Sequence, residues 1–570
     1  MTSELTTLLA STLSGSGLLA GVAAERITAL QPRRLHLPEG AVLFRQGESG
    51  ECAYLLLAGI LGLHTGEGSE ASPFFRKVVA GELVGEYGPL CGEPRSATAL
   101  ALTAGDALEL DRAQLQQLLE ETPTVEHRLI SALAEAASIG RVPGRMGLET
   151  VVIHDASPDS PLTAAVRARL PEELRRLGHD WSGLENLTIH PSGGDEEHLH
   201  RWLVEASRAG RPQVLFNRDP QAVSRRNLLL MDRLLILSDG RASTLNLPVA
   251  LNREALLVRL WPEQQERAGS GEASAALPPF AQVLNIQPQR PRHLGRLARA
   301  VLRRQTVLVL GGGGARGFAH IGALAALEHL GLNDVDMVMG VSIGSLVASL
   351  VAFETPAAAI LEQLERVIIK SRPYSLTLPR ESLFSLRNAR QELQRFFGPA
   401  QIQDGWLPLR CFSTNLSSKR LHSWTRGDIP TAVIASMSVP GIFPPVADGQ
   451  GNLHVDGGIL NNLPVAKARR ETEGRVLAIS LDPDPQTAPA AAAENAAARG
   501  RLALGRTIID AMMCGSHAAT RAQEQLADLV VRPRIEQFPF LDWKRYREIY
   551  TVGYEDALRQ LQEGWPIRGV

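Results

Sequence analysis

Cysteine is scarce in this chain. Cys52, Cys91, Cys411 and Cys514 are the four in 570 residues, and no two of them form a C-x-x-C pair. That scatter offers no zinc site and suits a reducing compartment. An excess of charge is lacking too. The formal net charge of -2 argues against a general nucleic-acid binder, though not against a local basic patch. Long apolar runs are missing: no stretch reaches about 18 uninterrupted apolar residues, so no membrane span is expected. The first residues, MTSELTTLLASTLSGSGLLAGVAAERI, have no basic segment before the apolar part, and Ser, Gly and Glu interrupt them. They are expected to form an amphipathic helical lead-in rather than a signal peptide.

What is present is an ordinary globular composition, 44% hydrophobic, on a chain too long for one core. Its length implies roughly two to four domains. From Leu35 to about Leu110 short β-like runs are broken by glycine, as in GAVLFRQGES and YLLLAGILGLH. This spacing suits a small β-barrel or jelly roll. Helical periodicity follows from Arg112 to Ile139. From Val151 the texture changes to VVIHD, a helix near Leu162–Leu177, then QVLFNRD and RLLILSD with a helix between them. That is a small α/β unit, and with neither G-x-x-x-x-G-K-[ST] nor G-x-G-x-x-G it has no support as a nucleotide site.

Pro262 to Pro279 is polar and rich in small residues, the best interdomain linker in the chain. Next comes RPRHLGRLARAVLRR, Arg290–Arg304, a helix with six arginines and no acid. Such a helix can lie on an anionic lipid surface, or it can pack against a neighbour. A further Ala/Pro-rich stretch, Asp482–Gly500, is expected to be a surface loop.

The sharpest chemistry begins at LVLGGGGARGFAHIG, Leu308–Gly322. TVLVL is a buried-strand run and IGALAALEHLG is a helix, so the glycines sit at a strand-to-helix turn. Such a turn aims several N–H groups, backed by a helix N-terminus, at one spot. An anion belongs there, either a phosphate or a developing oxyanion. No Lys-Ser/Thr follows the glycines and no acid sits at a convincing ribose position, so nucleotide readings are weak.

MVMGVSIGSLVASL supplies the partner. Gly340-Val341-Ser342-Ile343-Gly344 is G-x-S-x-G after a second β-like run and before a second helix. That is the context of a nucleophile elbow, and the glycine loop then serves as its oxyanion site. A serine nucleophile needs a base. His422, His454 and His517 are available but sit in no distinctive motif, whereas Asp456-Gly457-Gly458 places an acid at a turn. Read alone, D-G-G is a β-turn.

Together these blocks resemble the patatin-like phospholipases. Four match in order: the glycine loop with Arg316, G-x-S-x-G, ASMSVPGIFPP (Ala435–Pro445) and D-G-G. The resemblance implies a Ser-Asp dyad of Ser342 and Asp456, an oxyanion hole from Gly312, Gly313 and Gly314 supported by Arg316, and a three-layer α/β fold. Leu310 stands where plant patatins carry an acid, and GGGGARGFAHIG is closer to the neuropathy target esterase branch, whose members carry cyclic nucleotide-binding-like domains ahead of the hydrolase. GELVGEYGPLCGEPRSATALAL fits that expectation. It resembles a phosphate-binding cassette, with Gly85 at the turn, Glu86 for the ribose hydroxyl, and Arg95 with Ser96 for the cyclic phosphate. Either cAMP or cGMP binds there, or the fold is kept for docking alone.

The expected architecture is therefore multidomain: a jelly-roll cyclic nucleotide-binding-like domain (1–148), a small α/β Rossmann-like domain (149–261), a linker with the basic helix (262–303), and an α/β patatin-like hydrolase (304–570). The expected activity is hydrolysis of lysophospholipid or phospholipid esters without a metal or catalytic cofactor. The partners are a lipid substrate and a peripheral membrane surface on the cytoplasmic side, and no nucleic acid. Two rivals share these residues: a nucleotide-sensing scaffold with little hydrolysis, and an acyl-transferase using the same dyad.

Overall fold

The computed structural model describes residues 2–13, 19, 22–65, 74, 76–122, 125, 150–180, 187–190, 194–208, 212–240, 255–265, 268, 282–370, 375–376, 384–385, 387–482 and 516–564. The chain forms two compact units. The first comprises Met1–Ala156, Gly178–Leu235 and Asn246–Ala255; the second comprises Ser157–Leu177, Ile236–Leu245 and Leu256–Val570.

In the first unit, eight short strands follow one another: β1 (Arg33–Leu37), β2 (Val42–Phe44), β3 (Cys52–Ala58), β4 (Ile60–His64), β5 (Arg76–Val79), β6 (Leu83–Val84), β7 (Thr98–Ala101) and β8 (Gly105–Asp111). They make two antiparallel four-stranded sheets, ordered β1-β8-β3-β6 and β2-β7-β4-β5. This is the jelly roll that the glycine-broken runs imply. Strand β3 is buried on both faces because its alternate residues enter different cores. Tyr54 and Leu56 pack with Leu61 and Val78 between the sheets, while Ala53, Leu55 and Leu57 pack with Leu9 and Leu13. Those last two lie on the N-terminal helix Thr2–Leu13, so the lead-in is a core element. Helix Arg112–Glu121 follows β8, capped by Asp111; the remainder of the helix expected to reach Ile139 lies outside the described residues.

The α/β texture is present. Strands β9 (Thr150–Asp155), β10 (Thr188–His190) and β11 (Gln213–Asn217) are parallel in the order β10-β11-β9. Strand β12 (Arg233–Asp239) carries the chain from the first unit into the second. In the second unit β13 (Leu256–Leu260) pairs in parallel with β14 (Gln282–Ile286). Strand β14 falls just after the linker stretch, most of which lies outside the described residues.

The rest of the second unit is built on one mixed sheet. Its strands are β15 (Val307–Leu310), β16 (Met337–Val341), β19 (Leu409–Asn415), β20 (Arg420–Trp424), β21 (Val446–Ala447), β22 (Leu453–Asp456), β23 (Val476–Ile479) and β24 (Leu529–Val531); β17 (Ser375–Leu376) and β18 (Phe384–Ser385) pair apart from it. The order is β21-β22-β19-β16-β15-β23-β24, with β20 on β19. Strands β15, β16, β19, β23 and β24 are parallel; β20, β21 and β22 are antiparallel to their neighbours. Alternation again sorts the side chains. Val307, Val309, Met337 and Met339 enter one core with Val465 of helix Val465–Glu471. Leu308, Leu310 and Val338 enter the other, with Phe318 and Val347 of helices Phe318–His329 and Ile343–Ala352. Two helical layers thus enclose the sheet.

The basic helix spans Pro291–Val301, and of the two readings open for it the contacts favour packing. His293, Leu294, Arg296, Leu297 and Val301 are buried. Its arginines meet acids from elsewhere in the chain: Arg292 with Asp334 at 2.9 Å, Arg296 with Glu354 at 2.7 Å, and Arg299 with Asp336 at 2.7 Å through both carboxylate oxygens. Burial alone would raise the Glu354 carboxyl; the bond from His293 and the Arg296 charge outweigh it and hold it well below the usual range. Among the described residues no helix is long and apolar enough to cross a membrane.

Candidate active site

Strand β16 ends at Val341, and Ser342 follows it with a φ of 52° and a ψ of -126°, rare for a side-chain-bearing residue. Such strain persists only when the surroundings enforce it. The flanking glycines do so. A Cβ on Gly340 would lie 2.3 Å from Gly344 O, and a Cβ on Gly344 would lie 2.4 Å from Leu310 O. The elbow can close only because neither position has a side chain. Ser436 Oγ accepts from Ser342 N at 2.8 Å and donates to Phe412 O, which ties the elbow to β19.

The register of β19 explains how the acid arrives. Its first half pairs with β16, up to Val341 opposite Phe412. From the next residue β22 pairs with it instead, antiparallel, with Asp456 opposite Ser413. Strands β16 and β22 thus occupy one lane end to end, and Ser342 meets Asp456 at the changeover. Ser342 Oγ donates to Asp456 Oδ2 at 2.6 Å, while Gly458 N donates to Asp456 Oδ1 at 2.8 Å. Asp456 is 3% exposed. Burial pushes its carboxyl up to about 6, against the opposing pull of the Ser342 and Gly458 bonds.

None of the late histidines bonds Ser342. His454 is buried against Ser413 Oγ at 2.9 Å and Asp448 at 3.3 Å, with His422 packed on its ring at 4.9 Å. His517 lies 3.6 Å from Asp482.

The glycine loop abuts the nucleophile: a Cβ on Gly312 would lie 3.1 Å from Ser342 Cβ. Its amides are not equivalent. Gly312 N donates to Asn462 Oδ1 at 3.2 Å, and Asn462 Nδ2 returns a bond to Gly312 O at 3.2 Å. That amide is engaged by Asn462 in this structure. The Gly313 and Gly314 amides carry no hydrogen bond among the described residues. Ala315 N is taken by Phe540 O at 2.8 Å, and Arg316 Nε donates to Phe538 O at 2.8 Å. Arg316 therefore ties the loop to the 538–540 segment. From the other side His320, fully buried, bonds Gly311 O through Nε2 at 2.7 Å; burial pushes its pKa down to about 4, so it is neutral.

Asn462, Ser436 and His320 were not legible as site residues. The only sequence signal for Asn462 is the Asn461-Asn462 doublet close behind D-G-G.

In the jelly roll, the cassette residues gather around Arg95, which is 6% exposed. Its Nη1 donates to Gly85 O at 2.6 Å and its Nη2 to Cys52 O at 2.7 Å, and its guanidinium lies 4.4 Å above the Phe44 ring. Glu86 follows Gly85 and burial raises its carboxyl pKa; Ser96 is exposed beside Arg95.

An elbow serine bonded to a buried acid, facing a glycine loop on an α/β sheet, defines the class: a patatin-like site. Comparison with known proteins agrees. Residues 308–469 match the patatin-like phospholipase family and residues 34–122 match the cyclic nucleotide-binding domain. The chain therefore joins a cyclic nucleotide-binding domain to a patatin-like phospholipase domain. It is 27% identical to patatin-like phospholipase domain-containing protein 6 of Mus musculus, over 90% of this chain and 44% of that protein. It is 24% identical to lysophospholipase nte1 of Neurospora crassa, over 95% of this chain and 43% of that protein. The chain thus spans under half the length of these curated relatives. Among solved structures, the catabolite activator protein of Thermus thermophilus is 27% identical over 30% of this chain and 73% of that one, with a TM-score of 0.20.

Proposed function

We propose that this chain is a serine lipid hydrolase that cleaves the carboxyl esters of lysophospholipids or phospholipids. The observation that carries the reading is the 2.6 Å bond from Ser342 Oγ to a buried Asp456. Ser342 Oγ attacks the acyl carbonyl carbon while its proton passes to Asp456. The carbonyl oxygen becomes an oxyanion facing the Gly313 and Gly314 amides. Collapse breaks the ester bond, and Asp456 returns the proton to the departing alcohol. Water then attacks the acyl-serine and gives one proton to Asp456. The second collapse frees the fatty acid, and that proton returns to Ser342 Oγ. Every step uses a proton that the pair itself accepts or returns.

Support for the substrate class comes from the names of the relatives, phospholipase and lysophospholipase. The four-part layout drawn from the sequence is kept with this reading, as are a reducing cytoplasmic setting, suited by the unpaired Cys52, Cys91 and Cys411, and contact with a membrane surface. We further propose cAMP or cGMP as the ligand of the jelly roll, with Arg95 leaving the Gly85 and Cys52 carbonyls to meet the cyclic phosphate. One experiment tests both parts: fatty acid release from lysophosphatidylcholine by wild type and Ser342→Ala, each with and without either nucleotide. Release that depends on Ser342 and changes with nucleotide is expected. Full release by Ser342→Ala overturns the hydrolase reading, and release indifferent to nucleotide overturns the regulatory one.

A further inference from the structure

The register that joins Ser342 to Asp456 also says what lies beyond them. Strand β19 runs parallel to β16 and continues past the level of Ser342, through Ser413 to Asn415. Leu416 is about three residues further along, on the order of 10 Å at 3.3 Å per residue. The chain turns there and returns as β20 from Arg420. Alongside it, the turn between β21 and β22 reaches the same level. The two tips are bonded to each other: Leu416 N donates to Leu453 O at 2.8 Å, and Leu453 N to Ser417 Oγ at 3.3 Å. They form one joined pair of tips beyond the level of Ser342 along β19.

Its chemistry is unusual for a solvated turn. Leu416 is 46% exposed and Leu453 is 45% exposed, and Leu460, four residues past Asp456, is 42% exposed. Between the leucines stand Lys419 and Arg420, both exposed, neither in an ion pair among the described residues. Lys419 is held at a φ of 57° at the turn. The acid within these tips, Asp448, is turned to internal work: it accepts from Gln450 N, Asn452 N, Asn452 Nδ2 and His454. The exposed charge of the joined tips is therefore positive and their exposed apolar groups are leucines. Leucine beside lysine and arginine is the pairing that enters the headgroup region of an anionic bilayer.

We propose that the joined tips of the β19–β20 and β21–β22 hairpins seat on an anionic phospholipid surface and bring the Ser342 site to the lipid. The inference rests on the reading of that site as a lipid hydrolase, but the seat can be measured without turnover. It takes the place of the basic helix as the membrane contact, since Arg292, Arg296 and Arg299 are already paired with acids of the fold.

The test uses the full chain and co-sedimentation with vesicles of phosphatidylcholine mixed with phosphatidylserine, and with vesicles of phosphatidylcholine alone. Three variants are compared with wild type: Leu416→Ser with Leu453→Ser, Lys419→Glu with Arg420→Glu, and Ser342→Ala. Binding to the mixed vesicles, weakened by salt, is expected for wild type and for Ser342→Ala. The charge-reversed variant should lose at least about 25-fold in partitioning, at about five-fold for each of the two charges removed. The leucine variant should lose binding to a similar degree. Both should keep wild-type turnover of a short soluble ester, which also establishes that they fold. Unchanged vesicle binding in both variants overturns the proposal. So does an equal loss on the soluble ester, which marks the tips as structural. A chain that binds vesicles through these residues yet releases no fatty acid retains the seat and refutes only the hydrolase reading.

Discussion

If Asp456 is the base, acidity alone should switch the hydrolase off, at a pH that the structure sets. The carboxyl is buried, and burial lifts it from an ordinary 3.8 to about 6. Only the ionised form can take the serine proton, so the raised value works against activity at low pH. Activity should be half-maximal near 6, approach its full value above about 7, and fall as pH drops through the midpoint. With a midpoint near 6, about nine tenths of the enzyme is competent at pH 7, about a tenth at pH 5, and the slope reaches tenfold per unit below that. A carboxyl at 3.8 would lose almost nothing over the same range. The assay is kcat/KM on a short soluble ester, which keeps vesicle binding out of the measurement. An imidazole base would titrate nearby, so two controls separate them. Asp456→Asn should lose roughly 10²–10⁴ in kcat/KM. The midpoint should also hardly move with temperature, as carboxyl ionisation has little enthalpy and imidazole ionisation has much. A midpoint at or below about 4, or a normal profile in Asp456→Asn, would refute the assignment of Asp456 as base.

Other substitutions probe the scaffold around the pair. Gly344→Ala places a methyl 2.4 Å from Leu310 O and 2.6 Å from Gly311 O, so it should push the elbow off the glycine loop. A loss of about 1–3 kcal/mol in stability is expected, read as a lower thermal midpoint. Asn462→Ala removes both side-chain bonds to Gly312 and leaves only the backbone one from Gly312 N to Asn462 O; kcat should fall roughly ten- to a hundred-fold, below the loss for a direct oxyanion donor, with KM on a soluble ester little changed. Arg299→Ala leaves Asp336, which is fully buried, without its paired guanidinium. That should cost about 3–5 kcal/mol in a denaturation experiment, whereas Arg292→Ala, in an exposed pair, should cost little.

What the sequence disclosed follows a physical rule. The jelly roll and the elbow are legible because local geometry dictates their residues: glycines at 340 and 344 answer to backbone atoms a few residues away or on the adjoining turn. The partners that hold the site are not local. Asn462 reaches Gly312 across 150 positions, and Ser436 reaches Ser342 across 94. No periodicity encodes such a meeting. The basic helix shows the same limit, since its sequence left lipid contact and packing both open. It contains no acid, which made its arginines look available, yet Asp334, Asp336 and Glu354 come to them from later segments. Charge balance within a segment describes the segment, while pairing belongs to the fold. Strands β13 and β14 escaped notice for a similar reason: each is five residues long, and their pairing spans the linker.

The shared lane on β19 has a consequence for how the proposed hydrolase should fail. The serine belongs to a strand deep in the sheet, but the acid rides on a short strand whose outer neighbour, β21, is two residues long. The spacing within the pair is kept by three register contacts between β19 and β22. Fraying at that margin would part base from nucleophile while the central strands stay folded. Inactivation on heating should therefore run ahead of global unfolding, making lost turnover an early report of a loosened sheet edge.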